Sequence, residues 1–257
     1  MSAESLPIAS SENALAVRRS AKLALIIPTL REAANLHPLM RRVRPSLDSL
    51  GIPYEIIVVD DDSRDGTDII VAEFSRQDER IRLITRTGTR GLSGAVMHGW
   101  HNTKADVVGV MDSDLQHPPE LLPQLWQTLQ NGADLVVASR YVGQASPRGL
   151  NIFRHLVSQL AIWMTWPLQR PGIFVHDPMS GFFLVRRSCI DDLAVQPQGF
   201  KVLLEILVRG RIRSAVEVPF TFERRHAGVS KAGVAVAVAY LKLLARLGRF
   251  RLTGTHS

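Results

Sequence analysis

Short apolar runs alternate with longer amphipathic ones through the first half of the chain, and that alternation sets the fold class. Lys22–Ile27 and Tyr54–Val59 are short, β-branched and nearly all apolar, which is how strands buried on both faces read. Ile81–Thr85, Asp106–Met111 and Asp134–Ala138 repeat the pattern. Between them lie segments with helical spacing: Glu32–Leu50, Thr67–Arg76, Gly91–Thr103 and Pro118–Gln130. The last has proline at its start, where the missing N–H costs nothing. Strands and helices in turn predict an α/β domain with a mostly parallel sheet covered by helices. In such a sheet a ligand lies beyond the carboxyl ends of the strands, so polar residues just after each strand are the first candidates for chemistry.

Beyond Tyr141 the alternation loosens. Ser146–Gln169 is apolar and aromatic, and its Trp163 and Trp166 suit either a core or a membrane-facing surface. Gly181–Val185 reads as a strand, Leu203–Val208 as a helix and Ala215–Phe222 as a strand. The tail Ala232–Phe250 reads as one amphipathic helix with Lys242, Arg246, Arg249 and Arg251 toward its end. The expected organisation is a loose leader at 1–21, one α/β domain at 22–231, and a basic helix and tail at 232–257.

The 257 residues are 46% hydrophobic and 21% charged, which excludes wholesale disorder. A single cysteine, Cys189, excludes an intramolecular disulfide and fits a reducing compartment. The first residues lack the basic and apolar regions of a secretory signal, and no stretch reaches the ~18 apolar residues of a membrane span. The net charge of +7 is concentrated: from Lys201 onward 11 Lys and Arg face 3 acids, whereas the first 200 residues carry a net of −1. Such a segment fits an anionic partner, whether nucleic acid, lipid headgroups or a phosphorylated substrate, or else a solvated helix face.

Two strand ends carry the candidate chemistry. After the second strand stand Asp60, Asp61, Asp62 and Asp65, carboxylates that repel one another unless a cation or hydrogen-bond donors compensate them. After the fourth strand comes Asp112-Ser113-Asp114-Leu115-Gln116-His117-Pro118-Pro119-Glu120. An Asp-x-Asp turn followed by an amide oxygen is a hard-oxygen cluster of the kind Mg2+ or Mn2+ shares with substrate phosphates. His117 has no Cys or His partner at zinc-ligand spacing.

These motifs, with Ile27-Pro28-Thr29, Ser139-Arg140-Tyr141, Asp177-Pro178-Met179-Ser180-Gly181-Phe182, Gly199-Phe200-Lys201 and Arg225-His226-Ala227-Gly228-Val229-Ser230-Lys231, run in one order from residue 22 to about 231. In that order the chain resembles the polyprenol-phosphate hexosyltransferases of glycosyltransferase family 2, the group typified by dolichol-phosphate mannose synthase. The resemblance implies a GT-A fold, a nucleotide-sugar donor such as GDP-mannose, Mg2+ or Mn2+, and a polyprenyl-phosphate acceptor. It implies that Pro28, Leu30, Glu32, Val59 and Asp61 line the nucleotide pocket. Asp112 and Ser113 would face the ribose and diphosphate, with Asp112, Asp114 and Gln116 at the metal. Lys201, Arg225 and Lys231 would meet the donor diphosphate. Arg140 and Arg154 would grip the acceptor phosphate, and with Asp114 they make up the implied catalytic group. Leu30 departs from the aromatic residue the family often places beside the base.

A phosphate acceptor is already ionised at neutral pH, so positioning and electrostatics matter more than a general base. The expected activity is metal-dependent, inverting hexosyl transfer. It would occur at the cytoplasmic face of a membrane, by a peripheral protein with room for a separate membrane partner and no nucleic-acid ligand. One rival has the same fold and uses a UDP-sugar or a soluble or glycan acceptor, which would call for a general base. A rival of another class is a non-catalytic module that binds anionic lipid or nucleic acid through the basic tail, against which Asp112 and Asp114 speak.

Overall fold

The computed structural model describes residues 21–142, 160–193, 201–221 and 234–253. Residues 1–20 of the expected leader, Arg154, Arg225 and Lys231 lie outside the described residues, whereas Ala21 is buried in the core. Seven strands form one sheet: β1 (Leu23–Thr29), β2 (Tyr54–Asp60), β3 (Ile81–Thr85), β4 (Val107–Met111), β5 (Leu135–Ser139), β6 (Phe182–Arg186) and β7 (Ala215–Pro219). Their spatial order is β3-β2-β1-β4-β6-β5-β7. All neighbouring pairs are parallel except those of β6, which runs antiparallel to both β4 and β5. The mostly parallel sheet is as expected. The direction of β6 is a finding, since an apolar run such as Phe182-Phe183-Leu184-Val185 reads the same either way.

The helices are α1 (Ala33–Asp48), α2 (Thr67–Gln77), α3 (Leu92–His101), α4 (Leu122–Gln130), α5 (Val202–Arg209) and α6 (Val234–Thr253). The predicted helix at Pro118–Gln130 divides into a 3-10 turn, Pro119–Leu121, and α4. Strand alternation separates two apolar layers. Leu23, Leu25 and Ile27 of β1 face a cluster with α1, α2 and α4, while Ala24 and Ile26 face one with α3 and α5. Gly99 lets α3 approach closely, since a Cβ there would fall 2.7 Å from Ile26 Cγ2. From β1 the chain builds outward to β2 and β3, then returns to place β4 on the other side of β1. The crevice at the carboxyl ends of β1 and β4 is therefore the topological switch point, where ligands of open α/β sheets bind.

Helix α6 corrects one expectation. Tyr240, Leu243 and Leu247 bury its inner face against Leu168, Leu204 and Val208. Arg246, counted among the solvent-facing cations of the tail, turns inward, and its Nη2 donates to Glu205 Oε1 at 3.1 Å. Glu205 is fully buried, in an otherwise apolar turn of α5, so a carboxylate there requires such a partner. Lys242, Arg249 and Arg251 remain exposed.

We expect Arg246→Ala to cost about 3 kcal/mol, because it withdraws a guanidinium from a sealed carboxylate. Urea unfolding of Arg246→Ala and of the Arg246→Met/Glu205→Leu pair checks this. The double variant should recover most of the loss, and equal losses in both would show that the helix is held by packing alone.

Candidate active site

The acidic run after β2 compensates itself. Asp60, at the end of β2, accepts from Thr29 Oγ1 at 3.0 Å, from the Ser63 N–H at 2.8 Å and from the Ser63 hydroxyl. Asp65 accepts from the Ala33 N–H at 3.0 Å, and from Thr67 through its N–H at 3.2 Å and its hydroxyl at 2.8 Å, so it ties together the starts of α1 and α2. Burial works against its charge, but these donors more than offset it and hold its carboxyl below the usual range. Asp62 pairs with Arg64 at 3.0 Å and more loosely with Arg90 at 3.9 Å. Asp61 alone of the four lines the cleft, and it takes the Gly91 N–H at 2.7 Å and Arg86 Nη1 at 2.5 Å. Hydrogen-bond donors and arginines balance this run.

The turn after β4 has a different character. Asp112 donates its N–H to the Gly181 carbonyl at 3.0 Å, and Ser113 Oγ donates to the Pro28 carbonyl at 3.2 Å, so the turn is stitched to β1 and to the approach to β6. Leu115 adopts a left-handed φ of 61° with its side chain buried in the core. That conformation costs a non-glycine residue roughly 1–2 kcal/mol, and it marks the bend just after Asp114, which lines the cleft. The Gln116 N–H then closes onto Asp114 Oδ1 at 3.1 Å. Behind the turn His117 packs against Phe182 and Phe220, with ring centroids 5.9 and 5.2 Å away. Burial pushes its pKa down to about 3, so it is a neutral packing residue at neutral pH.

Asp112, Ser113 and Asp114 share one cleft of about 360 Å3 with Pro28, Leu30, Glu32, Asp61 and Leu92. Val59, expected on this wall, is fully buried in the apolar layer beside α3, two residues below the cleft-lining Asp61 and inside the strand rather than past its end. Among the described residues no three His, Cys, Asp or Glu gather as a metal site. The turn brings two carboxylates, Asp112 and Asp114, to the cleft, while Gln116, expected beside them, is not among the residues that line it. The two carboxylates fit Mg2+ or Mn2+ as a partial set that water and substrate phosphates complete.

On the far side of Asp112, Arg140 follows β5 and forks onto the buried Asp177, Nε to Oδ2 and Nη2 to Oδ1, both at 2.7 Å. Burial opposes the charge of Arg140, but Asp177 more than offsets it and holds the guanidinium pKa above its ordinary value. The edge expected to grip a phosphate thus holds a carboxylate of the same chain. Lys201, just before α5, has its pKa lowered by burial, while Asp112 and Asp177 pull it back up and Arg140 pushes it down. Those four groups form one electrostatic cluster. Arg86, Asp177 and Gly181 are site residues to which sequence reasoning gave no role, although Arg86 directly follows β3, where polar residues deserve a look.

Beside this region the aromatic segment is a surface rather than core. Trp163 and Trp166 are 56% and 43% exposed, and Trp166 stacks edge-on against the exposed Phe174, 5.2 Å away. Helix α6 packs against the turn Trp166–Leu168, and its Val238, Leu241 and Leu252 are exposed. No helix among the described residues is long and apolar enough to cross a membrane.

The profile of the family Glycosyl transferase family 2 matches residues 24–194. A dolichol-phosphate mannosyltransferase of Pyrococcus furiosus is 41% identical over 227 residues, covering 88% of this chain and 63% of its own length. One from Mycosarcoma maydis is 37% identical over 237 residues, covering 89% and 79%. The chain therefore spans less than two thirds of the Pyrococcus furiosus relative. A glucosyl-3-phosphoglycerate synthase from Mycobacterium tuberculosis, solved with Mn2+, UDP-glucose and phosphoglyceric acid, superposes with a TM-score of 0.66. It covers 100% of this chain and 87% of that one at 18% identity, and so carries the fold alone: the GT-A arrangement of a mostly parallel sheet between helices. On the family match and the identity to these relatives, the chain belongs to glycosyl transferase family 2.

Proposed function

We propose that the protein transfers a hexose, mannose first among the candidates, from a nucleotide sugar such as GDP-mannose to a polyprenyl or dolichyl phosphate. The observation that carries this reading is the shared cleft at the β1/β4 switch point, with Asp61 and Leu30 on one part of its wall and Asp112 and Asp114 on another. The relatives named dolichol-phosphate mannosyltransferases support the choice of donor and acceptor.

In this reading an acceptor phosphate oxygen forms the new bond to the anomeric carbon. The bond from that carbon to the nucleoside diphosphate breaks, and the diphosphate leaves with the electron pair, so the configuration inverts. The acceptor phosphate, with a second pKa near ~6, is ionised at neutral pH, and no side chain has to remove a proton. Asp112, Asp114 and Gln116 would hold Mg2+ or Mn2+, which when bound neutralises the charge developing on the diphosphate. Lys201 adds positive charge beside Asp112, and Arg225 and Lys231 are proposed as further diphosphate contacts. Arg140, fixed by Asp177, and Arg154 are proposed to present positive charge to the acceptor.

The lipid acceptor calls for a membrane surface, and we place the protein peripherally on the cytoplasmic face. Exposed Trp163, Trp166 and Phe174, with Leu241 and Lys242 of α6, combine an apolar body with cationic tips, as interfacial surfaces do.

Two outcomes are expected. With GDP-mannose, a polyprenyl phosphate and Mn2+, Asp114→Ala should lower turnover about 100-fold or more at an unchanged melting temperature. Transfer near the parent rate would remove Asp114 from the metal. Trp163→Ala/Trp166→Ala should sediment poorly with anionic vesicles and lose activity on membrane-embedded acceptor more than on a short water-soluble one. Equal losses on both acceptors would relocate the docking surface.

A further inference from the structure

Gly181 stands just before β6, with its Cα turned toward the Asp112 carboxylate. A Cβ at this position would lie 1.9 Å from Asp112 Oδ2, 2.3 Å from Cγ and 2.6 Å from Oδ1. No side chain of any kind coexists with the carboxylate in that place. A left-handed backbone is not the reason for glycine, because Gly181 is not among the glycines with positive φ. The constraint comes from Asp112.

The turn cannot readily back away. Asp112 donates its N–H to the Gly181 carbonyl at 3.0 Å, and Ser180 Oγ donates to the Ala138 carbonyl of β5 at 2.7 Å. One residue cluster earlier, Asp177 is buried, forked by Arg140, and donates its own N–H to Glu217 Oε1 of β7 at 3.0 Å. Three strands thus fix the turn, and an added methyl group has to displace the mobile partner, the carboxylate. A cavity of about 40 Å3 bordered by Asp112, Gly181 and Lys201 adjoins it and offers somewhere for that carboxylate to swing.

We infer that Gly181 is a positioning residue: the Asp177–Gly181 turn, clamped by Arg140, is a mould that sets where the Asp112 carboxylate sits. The inference rests on the proposed role of Asp112 toward a divalent ion and diphosphate. It assigns Arg140 a second duty, as the clamp that keeps the mould in register.

The test is Mn2+ binding in the presence of GDP, followed by loss of the free-ion electron paramagnetic resonance signal, for the parent chain, Gly181→Ala and Gly109→Ala. Gly109 is the control. A Cβ there would enter the same β4–β6 pair, 2.7 Å from Leu184 Cδ2 and 3.0 Å from Leu25 Cδ1, away from the carboxylate. Gly181→Ala should weaken Mn2+ binding about 10-fold or more, the effect usual when a partner that orients a ligand is lost. Gly109→Ala should lose thermal stability and bind Mn2+ like the parent. Should Gly181→Ala unfold, Asp112→Ala/Gly181→Ala decides the matter: removing the carboxylate should restore the melting temperature to that of Asp112→Ala. Parent-like Mn2+ binding by Gly181→Ala, equal weakening by Gly109→Ala, or no recovery in the double variant would each overturn the inference. A parent chain that binds no Mn2+ with GDP would instead overturn the functional reading beneath it.

Discussion

Because β6 runs against β4 and β5, the residues that lead into it, not those that leave it, meet the carboxyl ends of its neighbours. The chain therefore delivers Asp177, Ser180 and Gly181 to the same edge at which β1, β2 and β4 deliver Thr29, Asp61 and Asp112. An all-parallel sheet would have sent that turn to the opposite edge, 5 residues and roughly 16 Å away at the usual rise per residue. The single Asp112 N–H to Gly181 carbonyl bond marks the place where the reversed strand and the site become one structure.

Charge at this edge is arranged in two unlike halves. Around β2, carboxylates are matched by fixed partners: Asp60 by hydroxyls and amides, Asp61 by Arg86, Asp65 by the starts of two helices. Around β4, Asp112 and Asp114 face the cleft, and the cations Arg140 and Lys201 stand behind. The first half costs little to hold together, because its donors are already in the fold. The second concentrates opposite charges beside a cleft and is where an added cation and an anionic ligand gain most.

Much of this was legible in the residues. Five apolar runs gave the first five strands to within a residue or two, and the Asp112–Glu120 motif stood where an α/β sheet binds ligands. Strand direction was not legible, because pairing is a non-local choice that alternation does not record. Val59 misled for a simpler reason: it shares the face of Asp61 but lies two residues deeper, inside the strand where α3 covers it. Arg246 looked like its exposed neighbours, since a guanidinium on an amphipathic helix reads alike facing in or out. The signal that could have placed it lay elsewhere, in Glu205 amid Val202-Leu203-Leu204 and Ile206-Leu207-Val208, a carboxylate with no reason to be there unless a cation meets it. Arg140 was singled out for its charge, and its fixed partner Asp177 sits 37 residues away, beyond the reach of any local pattern.

The central claim is a single displacement that joins the sugar of a nucleotide donor to a lipid phosphate. Nuclear magnetic resonance of the organic-extractable product tests it most directly, with the released nucleoside diphosphate counted in parallel. From an α-linked GDP-mannose the account predicts a β-linked mannosyl phosphate on the polyprenyl chain, with one GDP released per sugar transferred. An α-linked product, or GDP release with no sugar on the lipid, would contradict it.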